Sequence, residues 1–520
     1  MRVNEVNAAP GVRSRSRPHA EARQWFWYSP FGFVALAVGS VLLWLPSLHL
    51  PIDVDAAVYA VAAHWWARGD TLYDSFTITR PQGIFLIYRL SEAIGLGSAA
   101  GLRFTGALFC AGGTLLLCAI AGRIWGRPAG FWSAALFAAI MALPVLEGPT
   151  ANAEVFMLVP LLSSLYLLLR ADEARLGGRR NLLLLAAIGL CAAVALLIKP
   201  SAVVVLPFVA CWLLRRRYAE RAPWQGWLAA ELVLGLGFVC GLAPALIHGL
   251  LTAPDVYLNA VFFHRLRTKS GISQSVTAQF ERFLYMSWQI ALRLPILLLA
   301  VGGVRAVWRG ADGRARDFLT LWLLISLGGA WLGGNWWLHY YQQLLPPLAV
   351  AVVLGLRRIP WGMNHGLRVI AQQIFVAVSA VSLGLTLLLG LTVRNDSPDV
   401  LVGYTPYPRG FESVSAYLRA HSSPDDSLYV AYQKPEIYYL TQLLPVTRWP
   451  DVPDLLTVPG AIEEQIALLT DPRTAPTHIV EAQRFDHLGP EADAAMRGLM
   501  ALTYKHIAVI EGTAIYRRIE

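Results

Sequence analysis

The chain has 520 residues, 56% of them hydrophobic and 15% charged, with a mean hydropathy of +0.49 and a formal net charge of +9. It is too apolar for a water-soluble globular protein. Its basic residues are dispersed over many connections instead of forming one nucleic-acid-binding patch, so composition excludes both classes and leaves a membrane protein.

Residues 1–28 form a basic tail with Arg13, Arg15, Arg17 and Arg23. Residues 31–50 follow without an acidic residue, Lys or Arg, and match the roughly twenty residues that a bilayer core requires. This run is too long for a signal-peptide core and lacks a small-residue cleavage site, so it is expected to be a retained span. Further apolar runs lie at about 98–122, 128–146, 154–170, 181–197, 200–214, 226–249, 288–307, 318–333, 339–356 and 367–392, giving about eleven expected spans.

Lys and Arg collect on the cytoplasmic side of membrane proteins. With the N-terminal tail inside, alternate connections carry Arg123 and Arg127, then Arg175, Arg179 and Arg180, then Arg215, Arg216, Arg217 and Arg221, then Arg305, Arg309, Arg314 and Arg316, and last Arg357, Arg358 and Arg368. This alternation puts the end of the chain outside. Residues 83–97 hold Arg89 and Glu92 and are short, so they are expected to be interfacial or re-entrant.

In the first outer connection, PIDVDAAVY places Asp53 and Asp55 before AAVYAVAAHWWARG. That stretch reads as a short interfacial helix ended by Gly69, its Tyr and Trp suited to headgroup depth. One aspartate can cap it, but a cap needs only one, which leaves the other unexplained. Arg80 in TRPQG either snorkels to headgroups or binds a phosphate with its planar fork. Glu154 opens the fourth span behind Asn152, and Lys199 sits at an outer turn; dipole complementarity and snorkelling are their simplest explanations. His339, Tyr340, Tyr341, Gln342 and Gln343 enter the tenth span, where polar residues are costly and usually functional. The outer segment FFHRLRTKSG adds Arg265, Arg267 and Lys269, a basic cluster against the charge rule that points to an anionic ligand or to headgroups.

From Arg394 the texture changes. Seventeen acidic residues stand against eleven Lys and Arg, and the β-rich runs SLYVAY, THIVEA, IAVIEG and AIYRRI alternate with helix-like stretches near 411–421, 461–470 and 490–500. A small α/β domain outside the membrane is expected, with the Pro-rich residues 445–459 as a long loop. All five cysteines lie in expected spans, which excludes a disulfide framework or a CxxC site.

These residues together resemble the polytopic GT-C glycosyltransferases, in the group of protein O-mannosyltransferases and lipid A aminoarabinose transferases. The resemblance rests on Asp55 four before Tyr59, Gly69 and Tyr73 with Asp74 displaced by one, and Arg80-Pro81-Gln82-Gly83. It continues through Asn152, Glu154 and Phe156, Lys199, and His339-Tyr340 followed by Leu345-Pro346-Pro347-Leu348. Departures from the family pattern are Ala56 in place of Glu, Arg80 in place of Lys and Gln82 in place of Pro. The WWDYG motif of oligosaccharyltransferases is absent.

The resemblance implies a mainly α polytopic bundle with a catalytic domain at 29–392 and an extracytoplasmic α/β domain at 393–520, in the cytoplasmic membrane. It implies transfer of a sugar, with inversion, from a polyprenyl-phosphate donor to a lipid, glycan or protein hydroxyl outside the cytoplasm. Asp55 is then the expected base with Asp53 beside it; Arg80, Arg265, Arg267, Lys269 and Tyr340 hold the donor phosphate; Glu154, Lys199, His339 and Tyr59 line the cavity. No cofactor or metal is expected, since two carboxylates without clustered His or Cys make a poor ion site. Membrane lipids are the other expected partners, and no nucleic acid is. The competing reading is a transporter or flippase of a lipid-linked anionic sugar, which would also place charges inside a bundle.

Overall fold

The computed structural model describes residues 30–263, 275–359, 367–392, 411–431, 434–449, 460–482 and 489–519. The expected basic cluster Arg265, Arg267 and Lys269 lies outside the described residues, as does most of the Pro-rich segment 445–459.

Up to residue 392 the described chain is helical. In order, the helices are α1 (Pro30–Trp44), α2 (Val54–Ala67), α3 (Gln82–Ala93), α4 (Ala99–Trp125), α5 (Arg127–Met141), α6 (Ala153–Ala171), α7 (Arg179–Ile198), α8 (Val205–Glu220) and α9 (Trp224–Thr252). They continue with α10 (Pro254–Leu258), α11 (Val276–Arg293), α12 (Leu299–Trp308), α13 (Gly313–Leu332), α14 (Leu345–Leu356) and α15 (Leu367–Thr392). Among the described residues, six stretches have the length and apolarity to cross a membrane: Pro30–His49, α4, α6, α7, α9 and α13. A seventh forms if α11 and the segment Pro295–Trp308, bent by 112° at their junction, count as one broken span. This is a multi-pass membrane architecture with fewer long helices than the eleven expected runs. Of the remaining runs, 367–392 forms the 26-residue α15, and the others are shorter helices such as α5, α8 and α14 or are broken by 3-10 turns at Pro200–Val204 and Pro295–Leu298.

The arginine-bearing connections meet at one end of the bundle. Arg123 pairs with Glu173, Arg215 Nε bonds Asp317 at 2.7 Å, Arg314 Nη2 bonds Asp172 at 3.2 Å, and Arg357 Nη1 donates to the Trp125 carbonyl at 3.3 Å. Partly exposed pairs of this kind contribute little stability individually, but they fix the loops relative to one another. Asp55, Arg80, Glu154, Lys199 and His339 gather elsewhere, around the N-termini of α2, α3 and α6.

Helix α2 differs from the interfacial helix expected. It forms where expected, and Gly69, with φ +106°, lies just past its end. Its face from Ala56 to Ala63 is buried throughout, however, and Trp65 is 4% exposed. Small alanines let α2 pack closely against α3, while Trp65 stacks on Phe76 at 6.2 Å instead of meeting headgroups. Helix α3, of 12 residues, is shorter than the roughly twenty residues that a bilayer core requires. A Cβ on Gly83 would lie 2.6 Å from the Leu197 carbonyl carbon, so only glycine lets α3 start against the end of α7. Gln82 closes the same corner, donating to the Ala245 carbonyl at 2.8 Å and accepting from the Tyr257 hydroxyl at 3.1 Å.

After residue 410 the chain forms α16 (Phe411–His421), β1 (Ser427–Val430), α17 (Pro435–Thr441), β2 (Leu444–Pro445), α18 (Ala461–Thr470), β3 (His478–Glu481), α19 (Pro490–Thr503), β4 (Tyr504–Ile510) and β5 (Thr513–Arg518). The strands make one sheet ordered β2-β1-β3-β5-β4. The β1 pairings with β2 and β3 are parallel, and the pairings around β5 are antiparallel. The four β-rich runs each form a strand; α17 and β2 are additions. The unit does not stand apart from the bundle. Val61 and Trp65 of α2 and Phe76 share a buried cluster with Val414, Leu418, Val430, Ile437, Tyr438 and Ile515. Thr77 N donates to the Arg448 carbonyl at 2.8 Å, and the Tyr439 hydroxyl donates to the Gly97 carbonyl at 2.8 Å.

Candidate active site

The aspartate pair divides as the cap argument requires. Asp53 is the N-cap of α2: its backbone is extended and its Oδ1 accepts from Ala56 N at 3.1 Å. Asp55, in the first turn, faces away from that role and accepts from Asn152 Nδ2 at 2.7 Å. Asn152 in turn N-caps α6 through its Oδ1 at 2.7 Å from Ala153 N, and that oxygen also receives the Tyr59 hydroxyl at 3.4 Å. A single asparagine therefore fixes both Asp55 and the start of α6.

Beside it stands a buried charged cluster. Glu154, 1% exposed, pairs with Lys199, whose Nζ lies 4.2 Å from the centre of the Tyr340 ring, within cation–π range. His339 Nδ1 donates to Glu147 Oε2 at 2.6 Å, and its Nε2 is 3.6 Å from Glu154 Oε1. Glu147 sits at φ +53° and Ala151 at φ +58°, left-handed conformations that non-glycine residues adopt at a cost of about 1 kcal/mol or more. The strained turn between α5 and α6 thus presents Glu147 to His339. Arg80 is held just before α3: the Tyr73 hydroxyl donates to its carbonyl at 2.8 Å, and its Nη1 donates to Thr79 Oγ1 at 3.3 Å.

Electrostatics separate the two aspartates. Burial, reinforced by the charge of Asp55, pushes Asp53 up to about 7, despite the Ala56 N–H and the Arg103 charge, which act the other way. Burial also raises Asp55, but His339, Arg80, the Asn152 amide and Lys199 together outweigh it and hold Asp55 below the ordinary aspartate value. Neighbouring carboxyls whose environments push them apart mark an acid–base division of labour. At neutral pH Asp55 is a carboxylate facing two fixed cations, and Asp53 is partly protonated.

The structure thus brings together Asp53, Asp55, Tyr59, Arg80, Glu154, Lys199, His339 and Tyr340, drawn from residues 53 to 340. Three participants were not singled out as site residues: Glu147, Asn152 and Arg103. Glu147 and Asn152 stand in EGPTANAE, a polar interruption between apolar runs with no basic residue of its own, and that was the available signal. Arg103, 2% exposed, donates to the Leu50 and Pro51 carbonyls and secures the entry to the aspartates; inside a hydrophobic run it gave no indication of its partners. Among the described residues no group of three or more His, Cys, Asp and Glu could hold a metal ion. The cavity of about 790 Å³ lined by Arg305, Arg309 and Arg358 lies at the arginine-rich end, away from this cluster.

Comparison with known proteins gives a likeness in sequence over part of the chain and a likeness in fold over nearly all of it. Residues 79–235 match the family model described as dolichyl-phosphate-mannose-protein mannosyltransferase. The fold matches ArnT from Cupriavidus metallidurans bound to undecaprenyl phosphate, with TM-score 0.64 at 15% identity over 94% of this chain and 99% of that one. It also matches the oligosaccharyltransferase AglB from Archaeoglobus fulgidus in complex with an inhibitory peptide and a dolichol-phosphate, with TM-score 0.54 at 12% identity over 95% of this chain and 75% of that one. A search of curated protein sequences finds no match. Family model and fold agree on the class of polytopic GT-C glycosyltransferases, which this chain resembles as its motifs indicated. Within that class the likeness is to the ArnT and protein mannosyltransferase type, since the ArnT fold accounts for nearly the whole of both chains.

Proposed function

We propose that the chain moves a sugar from a polyprenyl-phosphate donor to a hydroxyl acceptor on the extracytoplasmic face of the cytoplasmic membrane, in one inverting displacement. The observation that supports this most is Asp55, an ionised carboxylate facing Arg80 and Lys199, between helix ends at the edge of an apolar bundle. The acceptor oxygen attacks the anomeric carbon and its proton passes to Asp55. The bond from that carbon to the phosphate oxygen breaks, and its electron pair leaves with the phosphate, which Arg80 and Tyr340 receive. Asp53 orients Asp55; Glu154, Lys199, His339 and Tyr59 shape the cavity. No cofactor is required by this scheme, and the acceptor is a lipid, a glycan or a protein.

Right-side-out membrane vesicles from a strain lacking the native gene, carrying this chain and supplied with a panel of undecaprenyl-phosphoryl pentoses and hexoses, test the reading. One member of the panel should be consumed with release of undecaprenyl phosphate and labelling of an envelope component. A flippase would leave the glycosyl phosphate bond intact, and a panel untouched over vesicles lacking the chain overturns the proposal.

The same reading places residues 1–28 in the cytoplasm and residues 393–520 outside. Asp425→Cys, exposed between α16 and β1, should react with a membrane-impermeant thiol reagent in intact cells, and Arg309→Cys only after lysis. The opposite pattern would invert the topology.

A further inference from the structure

The GT-C reading assigns chemistry to the bundle and its outer turns, and leaves one buried acid of the C-terminal unit without a role. Glu436 lies in the first turn of α17, the helix that packs against α2, and is 3% exposed. Its Oε2 has no hydrogen-bond partner, and neither has Oδ2 of Asp53, itself 3% exposed. A buried polar atom left unpaired costs free energy comparable to a lost hydrogen bond. Asp53 stands two residues before the proposed base, and the charge of Asp55 acts on both acids. The apolar cluster of Val61, Trp65, Ile437 and Tyr438 locks α17 onto α2, so this placement is built into the core and does not depend on a loose side chain.

We propose that Glu436 is an acceptor-binding residue: its carboxylic acid group donates a hydrogen bond to an oxygen of an uncharged, hydroxyl-bearing acceptor whose reacting hydroxyl faces Asp55. The C-terminal unit thereby completes the active site. An anionic group at this position would meet the carboxylate of Asp55 and is disfavoured, so the class of acceptor is a neutral polyol or alcohol.

The charged groups facing Glu436 are Asp55 from α2, Lys434 before α17 and Glu412 from α16. Burial, with Asp55 and Glu412 opposing Lys434 and the residue's own backbone N–H, pushes Glu436 up to about 7. It is thus mostly protonated, and a donor, below neutrality. As pH rises through 7 it ionises, loses its proton and adds a negative charge opposite Asp55, so acceptor use should fall on the alkaline side.

This inference rests on the proposed transfer reaction, and the experiment separates the two. The vesicle assay is run from pH 5.5 to 8.5 with the panel member that wild type consumes, alongside binding of undecaprenyl phosphate to the purified full-length chain. Glu436→Gln keeps the shape and an N–H donor at every pH. It should bind undecaprenyl phosphate as wild type does, keep transfer at pH 6 within a few-fold, and lose the decline centred near pH 7. Glu436→Ala should lower transfer about tenfold, the scale of one hydrogen bond to a buried group, while undecaprenyl phosphate binding stays within twofold. If Glu436→Ala fails to fold, Glu436→Gln alone decides. An alkaline decline that persists in Glu436→Gln overturns the proposal, whether or not Asp53→Asn removes it. A wild-type chain that consumes no donor defeats the transfer reading, and this inference falls with it.

Discussion

Asp55→Asn should insert, fold and bind undecaprenyl phosphate like the wild type, yet lose about a hundred- to ten-thousand-fold of its transfer rate, the usual contribution of a general base. The fold is spared because Asp53, not Asp55, caps α2, and because the amide can still meet Asn152 across the 2.7 Å contact after rotation. The chemistry is lost because an amide cannot take the acceptor's proton. Asp53→Asn should be milder: asparagine caps a helix about as well as aspartate, and Asp53 already carries a proton for part of the neutral range. Wild-type turnover should also survive a chelator. Transfer by Asp55→Asn at the wild-type rate would reduce Asp55 to a structural residue, and abolition of wild-type activity by chelator would turn the pair into an ion site.

Arg80→Ala should weaken undecaprenyl phosphate binding by about ten- to a hundredfold, the value of charge-assisted hydrogen bonds of roughly 1.5–3 kcal/mol. Arg80→Lys should recover part of that loss, since a point charge still attracts phosphate but does not present the two parallel donors of a guanidinium. The arginine's position is set by the Tyr73 bond to its carbonyl and by the start of α3 on Gly83, so both replacements should leave the surrounding turn intact. Titration of the purified variants with undecaprenyl phosphate measures this, and equal affinity in wild type and Arg80→Ala would exclude Arg80 from phosphate binding.

What the sequence made legible follows from which signals are local. Two aspartates before a helix, an arginine before a proline and a histidine entering an apolar run are each visible within ten residues, and these residues form the cluster. The β-rich runs after residue 427 were equally plain, because a period of two needs only a few residues to show. The fate of α2 was not local. Its tryptophans suited a lipid interface and a protein core equally well, and burial was decided by Ile437 and Tyr438, hundreds of residues away. Glu147 and Glu436 were hidden for the same reason: in sequence each is one acidic residue near a turn, and only contact with His339 or proximity to Asp55 distinguishes it. The eleven apolar runs do not map one to one onto long helices, because hydropathy does not show where a helix breaks, as at the bend of 112° between α11 and the segment after it.

The cluster that Val61, Trp65 and Phe76 share with the C-terminal sheet unit bears on how such chains can be re-engineered. A unit tethered by a linker can be swapped between relatives like a cartridge, because its seam is polar and tolerant. Here the seam holds a shared buried apolar cluster and runs along the helix that Asp53 caps and Asp55 opens. A graft of residues 411–519 from a relative would therefore have to bring its own α2 surface, and acceptor preference and catalytic geometry would be inherited as a single block.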